Sequence, residues 1–132
     1  MAQLSDTNPV AGARALVIED EFLIAIEAQR ILEAAGAREV VLVARVDEAL
    51  AALEQPGSFD LAVLDIVLGR ESSDRIAAAL TERRIPFVYG TGMGAPGGPP
   101  GAFRHVPVVE KPYTGETLLA GIARAMRRTD DG

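Results

Sequence analysis

The stretch Ala15-Leu16-Val17-Ile18-Glu19-Asp20-Glu21 decides the fold. Four apolar residues in unbroken succession mark a strand buried on both faces, as parallel sheets require. Three acids stop it. The period then changes: Ile24, Ala28, Ile31, Leu32 and Ala35 fall on one face of a helix from Asp20 to Gly36, where the glycine is a natural stop. The pattern recurs along the chain. Val40 to Val43 reads as a second strand, and Val46 to Gln55 as a helix opened by Asp47 and closed by Pro56-Gly57. Leu61-Ala62-Val63-Leu64 is a third buried strand that again ends on an acid, Asp65. Ser73 to Arg84 forms a helix with Asp74 in its first turn. Pro86-Phe87-Val88-Tyr89 and Val106 to Val109 supply two more strands. Thr114 then caps a last helix, with Leu118, Leu119, Ile122 and Met126 on its buried side.

Strands that alternate with helices imply βαβ units and a parallel sheet, and right-handed crossovers place helices on both of its faces. Five such strands predict an α/β, doubly wound, flavodoxin-like sheet of order 2-1-3-4-5. One segment breaks the alternation. Nine of the twelve residues from Gly90 to Gly101 are Gly or Pro. Gly costs about 1 and Pro about 3 kcal/mol relative to Ala in a helix, so a mobile loop is expected there and the fourth helix is short or absent. The literal G-x-G-x-x-G at Gly92–Gly97 is no dinucleotide site, because Gly98-Pro99-Pro100 forbids the helix that must open there. The 132 residues suit one domain over 14–128, with a flexible tail over 1–13 and a short tail over 129–132.

At 48% hydrophobic and 24% charged, the chain has the balance of a globular protein expected in the cytoplasm. No apolar run approaches the ~20 residues that span a bilayer, which argues against a membrane partner. The net charge of −6 argues against nucleic acid, whose phosphates demand clustered Lys and Arg. Arg124, Arg127 and Arg128 lie at a helix end, where cations complement the dipole. The absence of cysteine excludes disulfides and thiolate metal sites.

In sheets of this kind ligands bind beyond the carboxyl ends of the strands. Those ends carry Glu19-Asp20-Glu21, Asp65, Thr91 and Lys111-Pro112. The first and third strands are neighbours, which brings Glu19, Asp20 and Asp65 into one pocket. Carboxylates in a shared site repel, and a divalent cation relieves them. Hard oxygen ligands without His or Cys favour Mg²⁺. The site then suits phosphoryl transfer, with Asp65 as nucleophile, Lys111 as a point charge on a phosphoryl oxygen and the Thr91 hydroxyl as a donor to another. Pro112 is a candidate for a cis bond. Glu21 is read as surface charge, and His105, the single histidine, as an ordinary strand-edge residue.

The runs Leu16–Glu21 and Asp60–Asp65, with Thr91 and Glu110-Lys111-Pro112-Tyr113, resemble the response regulator receiver family over about Arg14 to Arg128. That resemblance implies that Asp65 is phosphorylated by a sensor histidine kinase or a histidine phosphotransfer protein. It implies Asp20 as direct Mg²⁺ ligand, Glu19 as a water-mediated neighbour and the Val67 carbonyl as a third metal contact. Thr91 and Lys111 become the residues that report phosphorylation. Tyr89-Gly90-Thr91-Gly92-Met93 is similar to the Phe-Ala-Thr-Gly-hydrophobic-Tyr signature of a subgroup common in alphaproteobacteria, many of whose members stand alone. Gly94 replaces its final aromatic; the Glu19–Glu21 triplet and Pro107 fit it. Two positions depart from the wider family. Val108 stands where most receivers place Tyr or Phe, and Gly69 where many place proline, which predicts a looser loop after Asp65.

The expected function is that of a single-domain response regulator of two-component signalling, a phosphoprotein and not an enzyme beyond gaining and losing its own phosphoryl group. Output would come through a partner protein or through competition for phosphoryl groups on a shared kinase. The rival reading is a phosphorylation-independent adaptor on the same scaffold. An aspartate-nucleophile phosphatase fits less well, because Val67 stands where such sites want a second acid.

Overall fold

A computed structural model describes residues 8–92 and 101–131, with side chains to Arg128. The elements are β1 (Arg14–Ile18), α1 (Phe22–Ala34), β2 (Glu39–Val43), α2 (Val46–Glu54), β3 (Leu61–Asp65), β4 (Val67–Leu68), β5 (Glu71–Ser72), α3 (Asp74–Glu82), β6 (Phe87–Gly92), β7 (Val108–Lys111) and α4 (Gly115–Asp131). Five strands form one sheet in the order β2-β1-β3-β6-β7, every pair parallel. With the small β4–β5 hairpin set aside, this is the expected 2-1-3-4-5 order.

The unbroken apolar runs are buried on both faces because successive side chains point to opposite sides of a strand. Val17, Val63, Val88 and Val109 pack in one layer with Ala28, Ile31 and Leu32 of α1 and Leu118 and Ile122 of α4. Leu16, Leu64 and Tyr89 pack in the other, with Val46, Ala49 and Leu53 of α2 and Ile76, Ala77 and Leu80 of α3. Residues ahead of β1 also join the first layer: Val10 is fully buried, and the Gly12 N–H donates to the Gly36 carbonyl at 2.8 Å.

Helix ends follow local chemistry. Gly36 at φ 100° lets the Ala37 N–H reach back to the Leu32 carbonyl and stops α1 as the sequence predicts. The same motif stops α3 earlier than the expected Arg84: Arg84 takes φ 57°, and the Ile85 N–H donates to the Leu80 carbonyl at 2.9 Å. Thr114 caps α4 as expected, its Oγ1 accepting the Thr117 N–H at 3.0 Å.

The last strands lie further along the chain than their apolar runs suggest. β6 continues through Thr91 to Gly92, and β7 begins at Val108, not Val106. Pro107 has no N–H for the ladder, so regular pairing starts after it, although its carbonyl still accepts the Tyr89 N–H at 2.9 Å. Between β6 and β7 the described residues hold only a 3-10 turn, Gly101–Phe103. The remainder of the expected Gly90–Gly101 loop, 93–100, lies outside the described residues.

Tyr89 carries a cost. It is fully buried, packs edge-on against Phe87 with ring centroids 5.6 Å apart, and its hydroxyl has no hydrogen-bond partner among the described residues. Burial, assisted by the Asp74 charge, pushes that hydroxyl up to about 12. An orphaned buried donor costs about 1–3 kcal/mol. Tyr89→Phe is therefore expected to stabilise the fold by about 1 kcal/mol, read as a higher urea midpoint at unchanged slope.

Candidate functional site: an acid pocket at the strand ends

Pairing of Ile18 with Leu64 sets the next residues, Glu19 and Asp65, side by side where β1 and β3 end. Asp20 completes the group: one carboxylate oxygen from each of Glu19, Asp20 and Asp65 lies within 4.8 Å of the others. Glu19 and Asp65 are buried, and Asp20 is exposed at the rim. Lys111, at the end of β7, closes the pocket across the sheet. Its Nζ donates to Glu19 Oε1 and to Asp65 Oδ2, both at 3.1 Å. The Lys111-Pro112 peptide is cis.

Backbone donors hold the other carboxylate oxygens. The Glu21 N–H donates to Glu19 Oε2 at 3.1 Å, and the Val67 N–H to Asp65 Oδ1 at 3.3 Å. The Gly69 N–H donates to Asp20 Oδ2 at 3.0 Å. Burial pushes Glu19 up to about 7 against the Glu21 N–H; the Asp65 charge adds to the rise, and Lys111 opposes it. Burial also works against the Lys111 cation, but its bonds to Asp65 and Glu19 prevail and hold it above its ordinary value. Lys111 thus stays charged, and Glu19 takes up a proton more readily than a solvated carboxylate. Three hard carboxylates, one at the solvent rim, suit Mg²⁺, which keeps several waters and takes few protein ligands.

Thr91 sits in β6 one residue past Gly90, the register partner of Asp65, and is half-buried. Val67 meets Asp65 through its backbone while its side chain is exposed. Glu21 is exposed and touches the pocket only through its N–H. Val108 is 38% exposed on β7, so no aromatic occupies that position. His105 lies at the opposite ends of β6 and β7, in a cleft of about 560 Å³ with Arg84, Phe87 and Arg128.

Sequence reasoning missed the device that holds Asp20. Gly69 and Arg70 form the two-residue turn of the β4–β5 hairpin, and only Gly69 has positive φ, at 61°. Glycine at the first central position with positive φ there matches a type II′ turn. Proline could neither adopt that φ nor donate the N–H that Asp20 accepts. The expected looser loop is thus a paired hairpin, because the glycine admits a tight turn and frees a donor.

The sheet order and the acid-lysine pocket define a receiver domain. No family sequence model matches the chain, and no curated protein sequence does. Among solved structures it is 36% identical to SdrG from Sphingomonas melonis Fr1, over 91% of this chain and 97% of that one, with a TM-score of 0.71. It is 35% identical to the BeF3-activated conformation of SdrG from Pseudomonas melonis Fr1, over 86% and 96% of the two chains, again at 0.71. A response regulator receiver protein from Sinorhizobium medicae WSM419 shares the fold at 22% identity, 89% and 97% coverage and a TM-score of 0.71. The chain belongs to the response regulator receiver family.

Proposed function

We propose that this receiver accepts a phosphoryl group on Asp65 in a Mg²⁺-dependent reaction and signals through a protein partner or by competing for phosphoryl groups. The observation that carries the reading is the bridge from Lys111 to both Glu19 and Asp65, which pairs a nucleophilic carboxylate with a fixed cation. Asp65 attacks the donor phosphorus through a carboxylate oxygen, forming an acyl phosphate as the donor's bond to phosphorus breaks and the leaving group departs with its electron pair. Lys111 and the Thr91 hydroxyl meet phosphoryl oxygens. Asp20, Asp65 and the Val67 carbonyl would hold Mg²⁺ directly and Glu19 through water. The ion supplies charge neutralisation between carboxylates and phosphoryl oxygens.

Support also comes from the SdrG relative solved in a BeF3-activated conformation, since beryllofluoride mimics a phosphoryl group. The donor is proposed to be a sensor histidine kinase or histidine phosphotransfer protein, and the chain itself is no enzyme toward other substrates. Another structural neighbour, of 24% identity, is described as the anti-anti-sigma factor PhyR, and this chain spans 53% of its length. A protein target is the corresponding proposal here.

Incubation with acetyl phosphate and Mg²⁺ followed by intact-mass spectrometry tests the reading. The wild type is expected to gain one phosphoryl group and Asp65→Asn none. A wild-type chain that gains nothing would sink it. The adaptor reading draws on Val108, which leaves no aromatic to swing, and it predicts partner binding unchanged in Asp65→Ala.

A further inference from the structure

We infer that the Tyr113 hydroxyl is a further donor of the phosphoryl pocket, admitted beside Asp65 by the missing side chain of Gly90; this rests on the phosphoacceptor reading above. Gly90 is the register partner of Asp65 across β3 and β6. Strand alternation places Asp65, Gly90 and Lys111 on the same sheet face as Val63, Val88 and Val109, each two residues earlier in its strand. Tyr113 belongs to that layer and is 4% exposed.

A methyl group on Gly90 would overlap the Tyr113 hydroxyl oxygen and stand 2.9 Å from Cζ and 3.3 Å from Cε1. The hydroxyl therefore fills the place of a residue-90 side chain, roughly one strand spacing of 4.8 Å from the Asp65 position. The subgroup signature that this strand resembles has alanine there. With alanine at 90 the Tyr113 hydroxyl would have to leave its place, so the two positions are coupled by packing.

The hydroxyl is a donor at every working pH. Burial, then the charges of Glu19 and Asp65, hold it protonated well above the usual phenol range. During transfer the Asp65 oxygen bonds to phosphorus, the donor's bond breaks, and Tyr113 donates a hydrogen bond to a phosphoryl oxygen while keeping its proton. Lys111 gives a point charge and Thr91 a hydroxyl at the open side; Tyr113 gives a neutral donor from the sheet side.

The test measures the phosphorylation rate constant from acetyl phosphate, the Mg²⁺ dissociation constant and the thermal midpoint. It compares wild type, Tyr113→Phe, Gly90→Ala and the double variant. Tyr113→Phe is expected to slow transfer about tenfold, as loss of one transition-state hydrogen bond to a charged group does, with Mg²⁺ affinity unchanged. Gly90→Ala should slow transfer as much and also lower the midpoint. Adding Tyr113→Phe to it should recover part of the midpoint, since the overlap with the hydroxyl goes while the ring carbon at 2.9 Å stays, and leave the rate slow, a split that a purely structural role would not show. Wild-type rates in Tyr113→Phe, or in Gly90→Ala, overturn the inference and leave the Asp65 assignment standing. A wild-type chain that takes up no phosphoryl group overturns the phosphoacceptor reading itself.

Discussion

Lys111→Met is expected to destabilise the protein by about 3 kcal/mol at pH 8, because it strands two buried carboxylates. The Glu19 and Asp65 side chains are 2% and 9% exposed, and Lys111 Nζ lies 3.1 Å from each. Exposed ion pairs contribute little, but removing one partner of a buried pair leaves a charge with neither water nor counter-ion. For a chain of this length such a loss lowers the thermal midpoint by roughly 10 °C. Methionine keeps the length of the stem, so the effect isolates charge from packing. The loss should shrink toward pH 5, as Glu19 takes up a proton, and should be partly recovered by millimolar Mg²⁺, which replaces the missing positive charge. Urea melts of both proteins at pH 5 and pH 8, with and without Mg²⁺, check this. A variant as stable as wild type at pH 8 would show that the bridge contributes nothing.

That bridge marks the limit of what the sequence discloses. Glu19, Asp65 and Lys111 were each legible as strand-end residues, because continuous apolar runs announce strands buried on both faces and α/β sheets place chemistry where they end. The pairing itself was not legible. Lys111 lies 92 residues from Glu19 in the chain, and no local pattern says that one ammonium bridges two acids. The β4–β5 hairpin escaped for another reason: two-residue strands are too short to show a period. Its one signal was Gly69 after an apolar pair, where a turn demanding positive φ explains the residue. The start of β7 was misplaced because Val106 is apolar and buried like a strand residue, while the proline after it delays the ladder. Gly90 and Tyr113 could not be connected before the sheet set one against the other.

The pH dependence of stability gives the second large effect. Glu19 is held near 7 in the fold and titrates near 4.5 when solvated. The folded state thus binds its proton more tightly than the unfolded state, and stability falls as pH rises between those values. Below about 4.5 both states hold the proton and this contribution is fully present; above about 7 both have lost it and the curve flattens. The drop across the window is about 3–4 kcal/mol at 1.4 kcal/mol per unit. Glu19→Gln keeps the shape, removes the titration and leaves Lys111 with Asp65, so it should flatten the profile and exceed wild-type stability at pH 8. Mg²⁺ reverses that advantage, since it binds the ionised pocket: it should stabilise wild type more at pH 8 than at pH 5, and Glu19→Gln less than wild type. Urea midpoints from pH 4.5 to pH 8 read all three trends. Parallel profiles for the two proteins would mean that Glu19 does not yield its charge, and that the acids share the pocket without a proton between them. The pocket's instability is then the counterpart of its chemistry: a carboxylate such as Glu19, whose burial beside another acid disfavours its ionisation, is the one to which a divalent cation brings the largest relief.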